Sequence, residues 1–230
     1  MKTSFVIPSY NCAGYLPLAV ESVLKQTHKD VECIIVNDGS TDTTKLYLDW
    51  LKDERVKVIH NEKSLGRSVA RNQGNALATG DILCVLDADD LAIPRRAEWM
   101  VEAFKSGAEF VYGSAITMDA IGKGLGEIRA NPFSLEKALT EKVNRIVHST
   151  VAYTKKLAMN YPYKDGEIAE LGIDDWAQQI TIACAGHKLT LEPKVVSAYR
   201  ILETSISKTR DEEAVAKFKD AYLSALKVSV

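Results

Sequence analysis

Three carboxylates crowd the run Leu86-Asp87-Ala88-Asp89-Asp90, directly after the apolar stretch Ile82-Leu83-Cys84-Val85. Side chains alternate along an extended segment, so Asp87 and Asp89 share one side and can face a single hard cation through oxygen. Like charges this close call for such a cation, and Mn²⁺ or Mg²⁺ suits an oxygen-only donor pair. Magnesium is commonly held by one or two carboxylates plus substrate phosphates, so the chemistry in view is that of a phosphate-bearing, nucleotide-like substrate. The competing reading is a solvated acidic turn after a strand, and the rest of the chain decides between them.

Three other polar constellations bear on the choice. Ile7-Pro8-Ser9-Tyr10-Asn11 closes a strand with a proline, then offers an aromatic ring and an amide to a flat base. Asn37-Asp38-Gly39-Ser40-Thr41-Asp42 reads as a turn in which Ser40, Thr41 or Asp42 caps the following helix. Asp38 precedes that turn and is not needed as its cap, so its carboxylate could accept a ring N–H. In Gly66-Arg67-Ser68-Val69-Ala70-Arg71-Asn72, Arg71 is either a surface residue or an always-charged fork for a diphosphate.

The elements that carry these groups follow from apolar periodicity. Short β-branched runs at Thr3 to Pro8, Val31 to Asn37, Arg55 to His60 and Asp81 to Leu86 read as strands. Helical spacing links Leu16, Val20, Val23 and Leu24, and recurs over Thr43 to Lys52 and over Arg67 to Ala78, the last stopped by Gly80. This βαβαβαβ alternation predicts an α/β fold with a mostly parallel twisted sheet, helices on both faces, and ligands at the carboxyl ends of the strands. The polar motifs lie at those ends. Farther along, Arg95 to Phe104 reads as a helix, Glu109 to Thr117 and Ile146 to Tyr153 as strands, and Asp174 to Ala185 as a helix stopped by Gly186. Gly122-Lys123-Gly124-Leu125-Gly126 has no helix after it and no closing Lys-Ser/Thr, so it reads as a hairpin turn and not a phosphate loop. From Asp211 to Lys227, Val215, Phe218, Tyr222 and Leu226 form one apolar face of a packed terminal helix.

At 230 residues, 46% hydrophobic and 26% charged, the chain can bury a full core as one large domain. A net charge of −2 and a pI near 6.1 give no electrostatic footprint for nucleic acid. No apolar stretch approaches the roughly 18 residues that suggest a membrane helix, and Met1-Lys2-Thr3-Ser4 leads straight into a strand. The expected location is cytoplasmic, at most peripheral to a membrane. Cys12, Cys33, Cys84 and Cys184 lack Cys-x-x-Cys spacing and read as reduced structural thiols.

Taken in order, Val6-Ile7-Pro8-Ser9-Tyr10-Asn11, Val36-Asn37-Asp38-Gly39-Ser40-Thr41-Asp42, Gly66-Arg67-Ser68-Val69-Ala70-Arg71-Asn72 and Leu86-Asp87-Ala88-Asp89-Asp90 resemble the motifs of the family 2 glycosyltransferases of the GT-A fold. The resemblance covers most of residues 3 to 95 and continues more weakly beyond. It implies a single GT-A domain: a Rossmann-like nucleotide-sugar-binding half over 1–118, an acceptor-side half over 119–203, and a C-terminal loop and helix over 204–230. It also implies inverting transfer of a sugar from a nucleotide-diphosphate donor, most often a UDP-sugar, with Mn²⁺ or Mg²⁺. The implied acceptor is a glycan, lipid-linked, protein or small-molecule hydroxyl.

Carried over by position, Pro8, Tyr10 and Asn11 would line the base pocket and Asp38 would accept the uracil N–H. Arg71 would approach the nucleotide-sugar, Asp87 would hold ribose or metal, Ala88 would contact the nucleotide, and Asp89 would bind the metal. Asp174-Asp175 resembles the family's Glu-Asp pair, which makes Asp175 the general base. The other use for two acids opening a helix is interaction with its dipole. Tyr199-Arg200-Ile201-Leu202 resembles the family's Tyr-Arg-x-His segment, with Leu202 where histidine is expected; Glu203 or water would then complete a metal shell. His148 and Arg200 are candidates for the acceptor side. Two other classes fit part of this pattern. A sugar nucleotidyltransferase normally carries a glycine-rich, arginine-bearing loop where Pro8-Ser9-Tyr10-Asn11 stands, and a binding module would use the pair at 174 and 175 for the helix dipole alone.

Overall fold

The computed structural model describes residues 1–142, 146–205 and 211–226. Strands β1 (Thr3–Ser9), β2 (Val31–Asp38), β3 (Val56–Asn61) and β4 (Ile82–Val85) alternate with helices α1 (Leu16–Leu24), α2 (Thr44–Trp50) and α3 (Arg67–Leu77). The four strands are parallel, with Ser9 opposite Asn37, Asp38 opposite Asn61 and Val6 opposite Val85. Their carboxyl ends therefore gather at one edge of the sheet. Pro8 is tolerated in β1 because β4 ends opposite Val6, two residues earlier, leaving no ladder partner for a missing N–H.

Strict alternation sends successive residues of each strand to opposite faces. Phe5, Ile7, Cys33, Ile35 and Cys84 pack with Leu16 and Val20 of α1 and with Ala97 and Met100, while Val6, Ile34, Leu83 and Val85 face Ala78, Tyr153 and Leu157 on the other side. Helix α3 sits very close to β1. A Cβ on Gly74 would lie 2.4 Å from Val6 Cγ1, so glycine is what lets the helix reach that depth.

The parallel register expected of the sheet holds through β4, and the second half is mixed. It comprises β5 (Leu91–Ala92), α4 (Arg96–Lys105), β6 (Phe110–Met118), β7 (Gly124–Ile128), α5 (Leu135–Glu141), a 3₁₀ turn (His148–Thr150), β8 (Ala152–Thr154), α6 (Lys155–Asn160), α7 (Glu167–Glu170), α8 (Asp174–Cys184), β9 (Leu189–Arg200) and α9 (Glu212–Ala225). All the strands join one sheet ordered β3-β2-β1-β4-β8-β6-β9-β5, with β7 hairpinned onto β6. β8 runs antiparallel to β4 and β6, and β9 parallel to β6. The segment Gly122 to Gly126 is the β6–β7 turn, as its sequence indicates.

One strand is corrected. Of the run Ile146 to Tyr153, only the end from Ala152 pairs, because His148–Thr150 coils into the 3₁₀ turn. A third apolar cluster joins Ala138 and Leu139 of α5, Trp176 and Ile180 of α8, and Val215, Tyr222 and Leu223 of α9. The terminal helix thus packs on its own chain; Lys227, the expected end of that helix, and Ile206 and Ser207 of the loop lie outside the described residues. All four cysteines are free, and burial pushes the Cys12 and Cys84 thiols up to about 11.

Candidate active site

β4 stops at Val85 because the chain then turns: the Asp87 N–H donates to Ser149 Oγ at 3.1 Å, and the Asp90 N–H to the Asp87 carbonyl at 3.1 Å. The turn sorts the three carboxylates into different surroundings. Asp90 is buried inward and accepts the Arg200 N–H at 2.7 Å, so it anchors the turn. Burial raises its pKa well above the usual carboxylate value, with Asp89 and Asp87 adding to the shift. Asp87 accepts from Arg71 Nη2 at 2.9 Å; burial is the largest single influence and opposes its charge, but Arg71 together with the smaller effects of His148 and Arg67 holds it below the ordinary value. Asp89 has no ion-pair partner among the described residues. Burial first and Asp87 second raise it to about 6.

Two oxygen-donor carboxylates, one uncompensated and pushed up by its neighbour, form a donor set that a hard divalent cation would satisfy. Among the described residues no third His, Cys, Asp or Glu joins them, which leaves the other positions to substrate phosphates and water. Leu202 stands in a turn with Ser205 and offers no donor atom from its side chain.

The acidic turn is tied to the acidic pair by helix α3. Arg71 spans both, with Nη2 on Asp87 and Nη1 on Asp174 Oδ2 at 2.6 Å. One turn earlier on the same face, Arg67 Nη2 meets Asp174 Oδ1 at 2.8 Å, and Ser68 Oγ donates to Asp174 Oδ2 at 3.2 Å. Asp174, for which the sequence suggests a catalytic role beside Asp175, is 1% exposed and engaged by Arg67, Ser68 and Arg71. Asp175 is half-buried beside it, accepts the Trp176 N–H at 2.7 Å, and is raised to about 6 by burial and then by Asp174. A carboxylate near 6 is better placed to take a proton at neutral pH than an ordinary aspartate.

Several other expected site residues serve the loops. Asp38 is buried and accepts from Asn61 Nδ2, Ser64 Oγ and the Leu65 and Gly66 N–H groups at 2.8–2.9 Å. Its acceptor capacity is filled, so it organises the loop entering α3, and a uracil N–H would have to displace one of these donors. Gly39 next to it has φ +71°, and a Cβ there would lie 2.4 Å from the Lys63 carbonyl carbon. Asn11 Oδ1 accepts the Thr41 N–H at 2.8 Å, tying the β1 loop to the β2 loop. Asp42 caps α2 through the Thr44 N–H at 2.9 Å. Tyr10 is 51% exposed at this edge, Pro8 is half-buried below it, and Ala88 packs in the core.

Arg200, a candidate for the acceptor side, is held by backbone carbonyls. It is buried, donating from Nε to the Asp89 carbonyl at 2.8 Å and from Nη1 to the Asp119 and Ala120 carbonyls. His148 is likewise enclosed, with Nε2 2.9 Å from the Tyr163 hydroxyl, and burial lowers it to about 3. It stays neutral across the physiological range. Two buttresses escaped the sequence reading. Arg67 shares a helix face with Arg71 at i, i+4 spacing, which is a readable signal; Arg96 reaches the Val85, Ser149 and Val151 carbonyls from beneath the turn, which is not.

These environments set the acid stability. Asp89 and Asp175 titrate near 6 in the fold against about 4 when unfolded, so between pH 4 and 6 the folded chain holds protons that the unfolded chain does not. Stability therefore falls as pH rises through that window. Carboxylates held low, such as Glu32 beside Ser4, Thr79, Lys2 and Lys57, act oppositely but only as the pH drops below their unfolded values. In metal-free buffer the expected Tm is higher at pH 5 than at pH 7.5, by roughly 3–10 °C for about 1–3 kcal/mol. Thermal unfolding across pH 4–8 measures it, and a maximum above pH 7 would contradict the assigned environments.

The family profile described as "Glycosyl transferase family 2" matches residues 4–158. An uncharacterised glycosyltransferase of Nostoc sp., alr2836, is 41% identical over 46% of this chain and 34% of its own. The Escherichia coli protein WfaP, a UDP-Glc:alpha-D-GlcNAc-diphosphoundecaprenol beta-1,3-glucosyltransferase, is 29% identical over 92% of this chain and 82% of its own. Other curated relatives are matched over 49% and 62% of their lengths, so the chain spans a third to three-fifths of several of them. The fold matches that of S. aureus TarS solved in complex with UDP, with a TM-score of 0.70 over 98% of this chain and 70% of that one, at 17% identity. The four ordered motifs, the sheet edge that gathers them and a profile spanning two-thirds of the sequence agree: the chain belongs to glycosyl transferase family 2.

Proposed function

We propose that the chain transfers a sugar from a nucleotide-diphosphate donor, of the UDP type, to an acceptor hydroxyl with inversion, and that Asp175 is the general base. The observation that carries this reading is the Arg71 bridge, which fixes a metal-suited acidic turn and a carboxylate of pKa about 6 within one rigid frame. The names of relatives supply the donor and an acceptor class, a sugar on a diphospho-lipid carrier. Cytoplasmic placement accords with such a donor, and among the described residues no helix is long and apolar enough to cross a membrane.

Asp87 and Asp89 would hold the divalent cation. When bound, it would supply charge stabilisation for the departing diphosphate. Asp175 removes the proton of the attacking hydroxyl, and Asp174, clamped by Arg67 and Arg71, sets its position and raises its basicity. A glycosidase needs a second carboxyl group to protonate a leaving alkoxide; a nucleoside diphosphate leaves as a stabilised anion, so one base is enough. Displacement in one step from the face opposite the leaving group inverts the anomeric carbon.

Calorimetric titration with UDP-, GDP-, CMP- and dTDP-sugars, with and without Mn²⁺, tests the donor side. UDP-sugar binding is expected to strengthen at least tenfold with Mn²⁺ in the wild type and to lose that dependence in Asp89→Ala. Absence of nucleotide binding under every condition would overturn the proposal.

A further inference from the structure

A cavity of about 50 Å³ lies between α8, α5 and the chain leading into α5, with Phe133, Ala138 and Ile180 among its apolar walls. Asn131, Ser134, Trp176 and Gln179 also line it, and of these four polar side chains Trp176 and Gln179 are the buried ones. They are 1% and 2% exposed, and neither Trp176 Nε1–H nor Gln179 Nε2–H has a hydrogen-bond partner among the described residues. Unpaired buried donors are costly and rare, so two along one small cavity mark a place where an acceptor atom belongs.

The chemistry of that atom is restricted. Among the described residues the only charged one along the cavity is the exposed Lys137, and apolar walls without a buried cation disfavour an anion. A neutral carbonyl oxygen with a small apolar remainder matches two N–H donors in a greasy recess. Room for more than one water-sized body, at on the order of 15 Å³ each in this measure, suits a group of that size.

The position relates the cavity to the reaction. Trp176 directly follows Asp175, and Gln179 lies one helical turn beyond it on the same face. We propose that this cavity binds the acetamido group of an N-acetylhexosamine acceptor, Trp176 and Gln179 donating to its carbonyl oxygen while the hydroxyl on the neighbouring ring carbon meets Asp175. The assignment rests on the reading of Asp175 as the base; binding of the acetamido group itself is testable without turnover.

The chain has three tryptophans, Trp50, Trp99 and Trp176, so its indole N–H resonances are few, and Trp176→Phe identifies the relevant one. The ¹⁵N-labelled protein is titrated with methyl N-acetyl-β-glucosaminide, methyl β-glucoside, UDP-glucose and UDP-N-acetylglucosamine. The Trp176 indole signal is expected to shift saturably with the N-acetylated glycoside and not with the glucoside. Gln179→Met, close in volume, should weaken that response on the order of tenfold. A silent indole, an equal response to both glycosides, or a response to UDP-N-acetylglucosamine with none to the free glycoside would each overturn the proposal, the last by assigning the cavity to the donor. A UDP titration on the same samples checks that each variant is folded and keeps the readings distinct: UDP binding with a silent indole sinks this inference alone, whereas no UDP binding sinks the functional reading.

Discussion

Asp175→Asn is expected to lower transfer by about 10²–10⁴-fold while leaving UDP affinity within twofold of wild type. The substitution keeps an oxygen to accept the Trp176 N–H, so the start of α8 retains its geometry and only proton acceptance is lost. The wild-type pH profile should carry the same signature. With Asp175 raised to about 6 by burial and by Asp174, turnover at saturating donor and Mn²⁺ is expected to fall about tenfold per pH unit below that value and to level above it. Saturating metal matters because Asp89, near the same value when bare, would otherwise titrate in the same window. Steady-state kinetics of both proteins from pH 5 to 8 make the comparison; a variant with near-wild-type turnover would remove Asp175 from the role of base.

The largest stability effect is expected at Arg71. It is 6% exposed and supports two carboxylates, so Arg71→Met leaves Asp174 buried without one of its cations and Asp87 without its fork. Breaking a buried pair by removing one partner costs about 3–5 kcal/mol, which for a chain of this size lowers Tm by roughly 6–20 °C. Arg71→Lys restores charge but cannot reach both carboxylates with one compact ammonium, and should recover only part of the loss. Adding Asp174→Asn to Arg71→Met should also recover part, because the stranded charge is removed with its partner. Differential scanning calorimetry of these four proteins and of Asp174→Asn alone measures the coupling. A Tm within 2 °C of wild type for Arg71→Met would mean that the bridge does not carry the acidic pair.

The parts of this site differ in how far the sequence exposes them. The parallel half was readable because each strand is a short apolar run closed by polar residues, and each following helix repeats at 3.6 residues. The acidic turn was readable for the same reason, since its carboxylates lie within one local segment. The Arg71–Asp174 bridge joins residues 103 positions apart, and no local spacing encodes it.

β9 went unread because Pro193 and the charges around it interrupt the apolar pattern. In the fold the register with β6 jumps from Glu192 to Val195 at that point, so the proline sits in an irregularity that needs no ladder bond. The run Ile146 to Tyr153 misled for the converse reason. Its β-branched residues favour a strand, but Arg96 draws in the Ser149 and Val151 carbonyls while the turn offers Ser149 Oγ to Asp87. Asp38, Asn11 and Arg200 carry the residue types of ligand contacts, and each also holds one loop to another, a use that only three-dimensional neighbours reveal.

The most direct measurement is the anomeric configuration of the product. Wild-type protein is incubated with Mn²⁺, the UDP-sugar selected by calorimetry and a synthetic N-acetylglucosaminyl diphospho-lipid, and the product is analysed by NMR. An α-linked donor yielding a β-linked product with release of UDP is the expected result. A retained configuration, or release of a nucleoside monophosphate or pyrophosphate in place of UDP, would contradict single displacement by an acceptor activated at Asp175.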